Sequence, residues 1–494
     1  MRILMLGWEF PPFIAGGLGT ACYGLTRALD ALGHQITFIL PRAVDRSHSS
    51  HVHLLSPEAV TSGDITRAAP IIREFRASGQ VSPRMPGVGV GEAQELAFHS
   101  EEFRNVTFRA VASGISSPYG PAAPMTHEQI EELIRRGQYT ARRVTESANP
   151  TEPTATELPE PPALTPGFLG LNRPSAGGDY GGDLIDDVRR YAELCVMLTR
   201  GEQYDVIHAH DWLTYPAGMA IAQLTGIPLV AHVHSTEFDR SGENINRHLY
   251  EIERRGMHSA MRVITVSFWT RSIAMHRYNV SPDKIRVVWN GIDRSEAAVL
   301  AAPSKIRATD KIVLFLGRIT MQKGPEYFIA AAKRVLEKVD GVKFVVAGSG
   351  DMAVRMIELA AQMGLGHKVL FTGFLRGSDV DRAFKMADCY VMPSVSEPFG
   401  IAPLEAMSHD VPVIISKQSG VSEVLTHVLK VDFWDVDEMA NKIIAVLRYP
   451  PLRNTLRRNG AMELRHLTWG GAAKKCVEVY DEAIEAMNRR TVST

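Results

Sequence analysis

The chain has 494 residues, 45% of them hydrophobic and 22% charged, with a formal net charge of −1. That length exceeds one ordinary domain and suggests about two to four, while the near-neutral balance argues against a polyanion partner, so no nucleic acid is expected and any basic site must be local. No stretch reaches the ~18 apolar residues of a membrane helix, the opening apolar run is too short for a signal peptide, and Cys22, Cys195, Cys389 and Cys476 lack C-x-x-C spacing, which together point to a cytoplasmic protein with buried free thiols.

Residues 2–7 form a continuous apolar run of the kind buried on both faces of a parallel sheet. Pro11 and Pro12 break it, and Gly16-Gly17-Leu18-Gly19 opens a helix whose Leu18, Tyr23, Leu25, Leu29 and Leu32 mostly keep helical spacing up to a stop at Gly33. Residues 35–40 return as a strand, so the chain opens with a βαβ unit carrying a glycine turn at its first crossing, the start of a Rossmann-like sheet. Glycines at 16 and 17 let the loop approach a ligand closely and offer N–H groups to phosphate oxygens; a plain tight turn is spelled the same way.

Residues 51–119 show a mixed pattern of strands and loops. Residues 126–143 read as a helix with Thr126 and Gln129 at capping-box spacing. Residues 147–182, filled with Pro, Thr, Glu, Ser and Gly, read as a flexible insertion, either an inert loop or a lid on the acceptor side. A helix over 184–199 leads to a strand over 204–210, with Asp211 and Trp212 at its C-terminal end, where ligands gather in open α/β sheets. His208 and His210 on that strand suit satisfied core residues at least as well as functional ones, and H-x-H makes no zinc site without a third ligand. The next strand, 227–233, ends at His234, and His232 faces the same side two residues earlier. A helix over 246–260, a strand over 263–266, a helix capped by Ser267 and a strand over 285–289 close the first half, and 295–309 reads as a linker.

The second half restarts the same grammar. A strand over 311–316 runs into Gly317-Arg318 and, five residues on, Lys323-Gly324, then a helix over 327–338. One guanidinium fork and one point charge can converge there on a diphosphate. Strands over 342–347 and 411–416 and a strand and turn over 369–375 follow, with helices over 436–447, 451–459 and 472–487. Between them, Cys389 to Pro393 reads as a buried strand end leading into Ser394-Val-Ser-Glu-Pro-Phe-Gly-Ile-Ala-Pro-Leu-Glu-Ala-Met407, a turn and a helix start that place Glu397 and Glu405 near one point where backbone N–H groups are unpaired.

That last phrase resembles the E-x7-E signature of retaining glycosyltransferases with the GT-B fold, and G-R-x4-K-G resembles the second signature of the same family. Gly16-Gly17-Leu18 and His210-Asp211-Trp212 are similar to the donor-phosphate loop and the acceptor region of glycogen and starch synthases. Two positions depart from those enzymes: Ile14 stands where they usually carry Lys, and Leu213 where a His often follows the Trp.

The resemblance implies an α/β protein of two Rossmann-like domains with parallel sheets facing across a cleft: an acceptor domain over 1–300, a donor domain over 301–468 and a terminal helix over 469–494 that packs back on the first. It implies catalytic roles for His234, Arg318, Lys323 and Glu397. Donor contacts would come from Gly16, Gly17, Arg318, Lys323, Leu375, Glu397, Phe399, Gly400, Ile401 and Glu405, with Glu405 on the ribose and Glu397 on the sugar hydroxyls. Acceptor contacts would come from Glu9, Asp211 and Trp212. No metal and no cofactor is expected. Asp379-Val-Asp381 and Asp435-Val-Asp437 spell the metal motif of the other large glycosyltransferase fold, but each opens an amphipathic helix, where Asp serves as a cap or favours the positive dipole end.

The leading expectation is transfer of a sugar, glucose first, from a nucleoside diphosphate sugar to the end of an α-glucan. A lipid-linked, small-molecule or surface-polysaccharide acceptor is the second reading, favoured by Ile14 and Leu213. A non-catalytic sugar-nucleotide-binding protein is the third, and Arg318, Lys323 and Glu397 argue against it. The nucleotide, ADP or UDP, stays open.

Overall fold

The structure, a computed structural model, describes residues 1–10, 16–41, 52–55, 95–100, 106–111, 182–293 and 310–493. The expected helix over 126–143, the linker over 295–309, Ile14, and the insertion over 147–182 up to its last residue lie outside the described residues.

Among the described residues, fifteen strands fall into two sheets. The first contains β1 (Arg2–Leu6), β2 (Gln35–Leu40), β3 (Val52–Leu55), β4 (Glu95–Ser100), β5 (Val106–Val111), β6 (Val206–His210), β7 (Leu229–Val233), β8 (Arg262–Thr265) and β9 (Ile285–Val287), in the order β3-β4-β5-β2-β1-β6-β7-β8-β9. The second contains β10 (Lys311–Leu316), β11 (Val342–Ala347), β12 (Val369–Gly373), β13 (Cys389–Met392), β14 (Val413–Ser416) and β15 (Leu429–Val431), in the order β12-β11-β10-β13-β14-β15. All pairings of the second sheet are parallel, and its order is that of the Rossmann fold. The first sheet departs from an all-parallel expectation at one edge, where β3, β4 and β5 pair antiparallel. For β4 and β5 the physical reason is length: the short connection 101–105 can return only antiparallel, since a parallel return needs a crossover of a dozen or more residues.

The described helices are α1 (Gly17–Ala31), α2 (Gly182–Leu198), α3 (Tyr215–Thr225), α4 (Glu237–Ser241), α5 (Arg247–Ser259), α6 (Phe268–His276), α7 (Pro325–Leu336), α8 (Ala353–Gln362), α9 (Ser378–Met386), α10 (Ala402–Ser408), α11 (Val436–Arg448), α12 (Pro450–Glu463) and α13 (Trp469–Ser493). In α1 the apolar stripe Ala21, Cys22, Leu25 and Leu29 is buried. The helix ends where the His34 N–H turns back to the Leu29 carbonyl, a closure that needs the left-handed Gly33, at φ +83°.

Each sheet is covered on both faces, which is why its inner strands are buried along their whole length. Helix α13 lies on the first sheet: its Trp469, Ala473, Cys476 and Tyr480 share one core with Ile3, Met5 and Leu25. Close approach at the start of α13 depends on Gly24, where an added Cβ would sit 2.2 Å from the Trp469 ring. All four cysteines are free and buried. Of the two D-x-D phrases, Asp435 caps α11 by accepting the Glu438 N–H at 2.9 Å, and Asp379 and Asp381 lie in the first turn of α9. Among the described residues no helix is long and apolar enough to cross a membrane.

Candidate active site

Each sheet has a switch point where the chain reverses its direction of winding, between β1 and β6 in the first and between β10 and β13 in the second. Loops diverge there at the carboxyl ends of the strands and leave a crevice. Residues 7–9 and 210–212 leave the first switch point; 317–318 and 393–397 leave the second.

In the second half Lys323 Nζ donates to Glu397 Oε2 at 2.5 Å, and Ser394 Oγ donates to the same oxygen at 3.1 Å. Glu397 Oε1 is left for other partners. Arg318 Nη2 donates to Gln322 Oε1 at 3.2 Å, and the Gln322 carbonyl accepts the Val395 N–H at 2.9 Å. Buried Gln322 thus ties the loop after β10 to the loop after β13. The two loops can approach because Gly324, at φ +61°, has no Cβ to strike the Pro393 carbonyl 2.3 Å away. Glu405, on α10, is pushed up to about 7, by desolvation first and by the Asp381 charge second.

In the first half Glu9 is buried, with Oε2 unpartnered among the described residues. Burial raises its pKa, while the Arg318 charge and the Gly19 N–H pull it down. Glu9 therefore links the N-terminal turn of α1 to the guanidinium of the opposite half. Among the described residues, nothing lies within 4 Å of where a Gly17 Cβ would be, and near that position of Gly16 only Glu9 Oε2 does, at 3.8 Å.

His234 lies at the end of β7. Its backbone N–H donates to Asp211 Oδ1 at 2.6 Å, and the Ser235 N–H to the same oxygen at 3.3 Å. Asp211 adopts a left-handed conformation, φ +58°, uncommon for a residue with a side chain and frequent at functional sites. Burial pushes its carboxyl up to about 7, against the pull of those N–H groups and of Arg240. Asp211 thus shapes the turn that presents His234.

The ring of His234 shares a 2.9 Å hydrogen bond with His210, and His208 shares one of 3.0 Å with His232 and one of 2.5 Å with Tyr480 on α13. The alternation of β6 and β7 and their register, with His210 opposite His232, put all four rings on one face. Desolvation lowers all four pKa values, to about 3 for His208 and His234, so the rings are neutral at ordinary pH. One nitrogen from each of His208, His210 and His232 lies within 4.8 Å of the others, and neutral imidazoles are the form that ligates metals. Both nitrogens of His208 are already engaged, so a cation would have to displace the bond to His232 or to Tyr480; the set reads as a hydrogen-bonded array.

The segment after His234 carries a buried ionic network. Arg240 pairs with Glu237 at 3.2 Å and with Glu253 at 2.5 Å, Tyr278 donates to Glu253, and Glu237 accepts the Asn246 N–H at 3.0 Å. It braces the segment that begins at His234.

The structure brings Arg318, Lys323 and Glu397 together beside Glu9 and the α1 turn. Trp212 is different: it is 1% exposed, packed in the core of the first sheet, as is Leu213. A side chain already enclosed offers no face to an acceptor, so the contact expected of Trp212 is corrected to a packing role. Phe399 is likewise a core residue, 2% exposed, and can meet a donor through its backbone alone. Leu375 and Ile401 are half-buried, with Ile401 packed against the cores of both halves. Gly400, at φ +103°, turns the chain into α10, and a Cβ there would crowd Met392 and Glu397. Tyr480 carried no motif, Gln322 stood at an unspecified position of G-R-x4-K-G, and Ser394 opened the Glu397 phrase without a role of its own, since a single Gln or Ser has no periodicity to betray its partner.

Two Rossmann-like sheets, each with a switch-point crevice and the second bearing the cationic Arg318 and Lys323, define a nucleotide-sugar-dependent glycosyltransferase of the GT-B fold. Comparison with known proteins agrees. Residues 299–462 match the family model described as glycosyl transferases group 1, residues 125–296 that of glycosyltransferase family 4, and residues 2–73 that of the starch synthase catalytic domain. An uncharacterized glycosyltransferase of Methanocaldococcus jannaschii is 35% identical over 305 residues, 58% of this chain and 78% of that protein. The chain belongs to this glycosyltransferase family.

A D-inositol 3-phosphate glycosyltransferase of Salinispora tropica is 25% identical over 477 residues, 89% of this chain and 97% of that one. A glycogen synthase of Mycobacterium tuberculosis is 24% identical over 430 residues, 86% and 80% of the two chains. The fold is shared with the catalytic domain of starch synthase IV from Arabidopsis thaliana, solved with ADP and acarbose, at a TM-score of 0.61 and 15% identity over 98% of this chain and 99% of that chain.

Proposed function

We propose that the protein moves glucose from ADP- or UDP-glucose to the non-reducing end of an α-glucan, with retention of anomeric configuration. The observation that carries the donor half of this reading is the Lys323–Glu397 pair beside Arg318 at the second switch point, facing Glu9 and the α1 turn. Transfer leaves a diphosphate, and the barrier is largely the charge that develops on it. Arg318 and Lys323, fixed before the reaction, stabilise that charge most in the transition state. Glu397 holds sugar hydroxyls through the oxygen that Lys323 leaves free, and Glu405 holds the ribose. Neutral His234 hydrogen-bonds the sugar. The acceptor attacks from the face the leaving group departs, and the leaving phosphate takes its proton. Because side chains supply the positive charge, the reaction needs no metal, and chelation with EDTA leaves the rate unchanged.

The α-glucan acceptor is supported by the starch synthase match at the N-terminus and by the glycogen synthase among the relatives. A small phosphorylated acceptor is the second reading, favoured by the D-inositol 3-phosphate glycosyltransferase relative and by burial of Trp212 and Leu213. Purified protein given ADP- or UDP-glucose with glycogen, maltooligosaccharide or inositol 3-phosphate decides between them. Elongated glucan upholds the first reading, and transfer to inositol 3-phosphate alone replaces it.

A further inference from the structure

The turn that carries Glu397 is held from both halves of the molecule. On its own side, the Glu397 N–H donates to the Gln418 carbonyl at 3.0 Å and the Gly420 N–H donates to the Glu397 carbonyl at 2.9 Å, a short parallel bridge outside the main sheet. The residues on either side of Glu397 bond instead to the N-terminal half. Ser396 Oγ donates to Asp239 Oδ1 at 2.6 Å, and the Pro398 carbonyl accepts Ser267 Oγ at 2.5 Å and Thr270 Oγ1 at 3.2 Å. Glu423, close behind Gly420, accepts the N–H groups of Phe268 and Trp269 at 2.9 and 2.6 Å and so caps α6 across the interface.

Asp239 is fixed from its other oxygen, which accepts the N–H and the hydroxyl of Thr236, both at 2.8 Å. It therefore belongs to the same braced segment that starts at His234. Gly420 completes the contact: a Cβ there would lie 2.2 Å from the Pro398 carbonyl oxygen and 2.5 Å from Ser267 Cβ. Only a glycine lets the two halves come this close.

We propose that Ser396 and Gly420 are positioning residues: by clasping the Glu397 turn to the Asp239 segment and to α6, they seat Glu397 and its Lys323 partner opposite His234 only while the two halves are joined. The clasp touches neither the cationic side chains nor the proposed ribose carboxylate. It rests on the reading of this cleft as the donor site, and it adds that seating Glu397 and joining the halves are one event. The Ser396 bond to the Asp239 carboxylate is of the stronger kind, and together with the buried hydroxyl bonds to the Pro398 carbonyl it restrains Glu397 from both sides more than either would alone.

The test uses the full chain with Ser396→Ala, Thr270→Val, their double variant and Gly420→Ala. Ser396→Ala removes the bond to Asp239 without disturbing the Thr236 cap, and Thr270→Val spares the Ser267 cap of α6. Small-angle scattering reads the separation of the halves, nucleoside diphosphate titration reads the donor half alone, and steady-state transfer gives kcat and KM. We expect kcat to fall about 10-fold in the double variant, the scale of one to two net hydrogen bonds, and further in Gly420→Ala, with nucleoside diphosphate affinity unchanged and a larger radius of gyration. A structural role alone would lower the melting temperature without splitting kcat from nucleotide affinity.

The proposal is overturned if the double variant is as compact and as fast as the parent. Should Gly420→Ala fail to fold, the Ser396 and Thr270 variants decide by themselves. A parent that transfers no sugar to any acceptor would sink the functional reading, while scattering would still decide whether the clasp joins the halves.

Discussion

Lys323 and Glu397 show how little room a single side chain has here. Lys323 Nζ is fixed 2.5 Å from a carboxylate that is itself anchored by Ser394, so the ammonium is already in place when a diphosphate arrives. Preorganisation of that kind is worth most where charge develops. Lys323→Ala is expected to lower kcat by about 10² or more, measured by steady-state transfer or by donor hydrolysis; a fully active variant removes Lys323 from the mechanism. The basic pair was legible from the chain, because G-R-x4-K-G is contiguous. The role of Asp211 was not. Its place at the end of a strand suggested a ligand contact, whereas the fold buries Trp212 and turns the Asp211 carboxylate onto the backbone of His234, 23 residues away at the end of β7.

Among elements, the segment from His234 through α4 and α5 owes its rigidity to buried charge. Arg240 serves two carboxylates, Glu237 and Glu253, none of the three much exposed. Removing one partner of a buried pair strands the other charge, which costs about 3–5 kcal/mol, while an exposed pair is worth about 0–1 kcal/mol. Arg240→Ala is therefore expected to lose several kcal/mol of unfolding free energy by chemical denaturation, and Arg254→Ala, which breaks the exposed pair with Glu251, close to none. Equal losses would show that the network is not what braces the segment. Helix α3 was missed as an element because it is apolar nearly all round and shows no amphipathic period, while β3, β4 and β5 were expected only as an unplaced mixture of strands and loops over 51–119, among irregular sequence.

For the molecule as a whole, the buried ionisable groups oppose one another with pH. The four histidines are held neutral, with His208 and His234 at about 3, below the ordinary value near 6.5. A depressed histidine binds fewer protons folded than unfolded, so its stabilising contribution is complete above about pH 6.5 and is lost as pH falls toward the folded value. Asp211 and Glu405, raised to about 7, act in reverse, and their contribution is lost as pH rises through that value. His208→Gln removes one term of the first kind. Its melting temperature is expected to fall less than the parent's between about pH 7 and pH 4.5; an equal or steeper fall would mean that His208 is not held neutral in the fold.

The sequence by itself determined the local elements and the two signature loops, because periodic burial, glycine turns and a contiguous run of cation, turn and carboxylate are written within a few residues of one another. Tertiary structure alone decided which side chains meet. Four histidines became one array only when β6 and β7 paired in register and α13 laid Tyr480 on them, and Ser396 became a partner of Asp239 only when the halves joined across 157 positions of chain. Such contacts depend on register and on the packing of distant surfaces, and neither leaves a pattern along the chain.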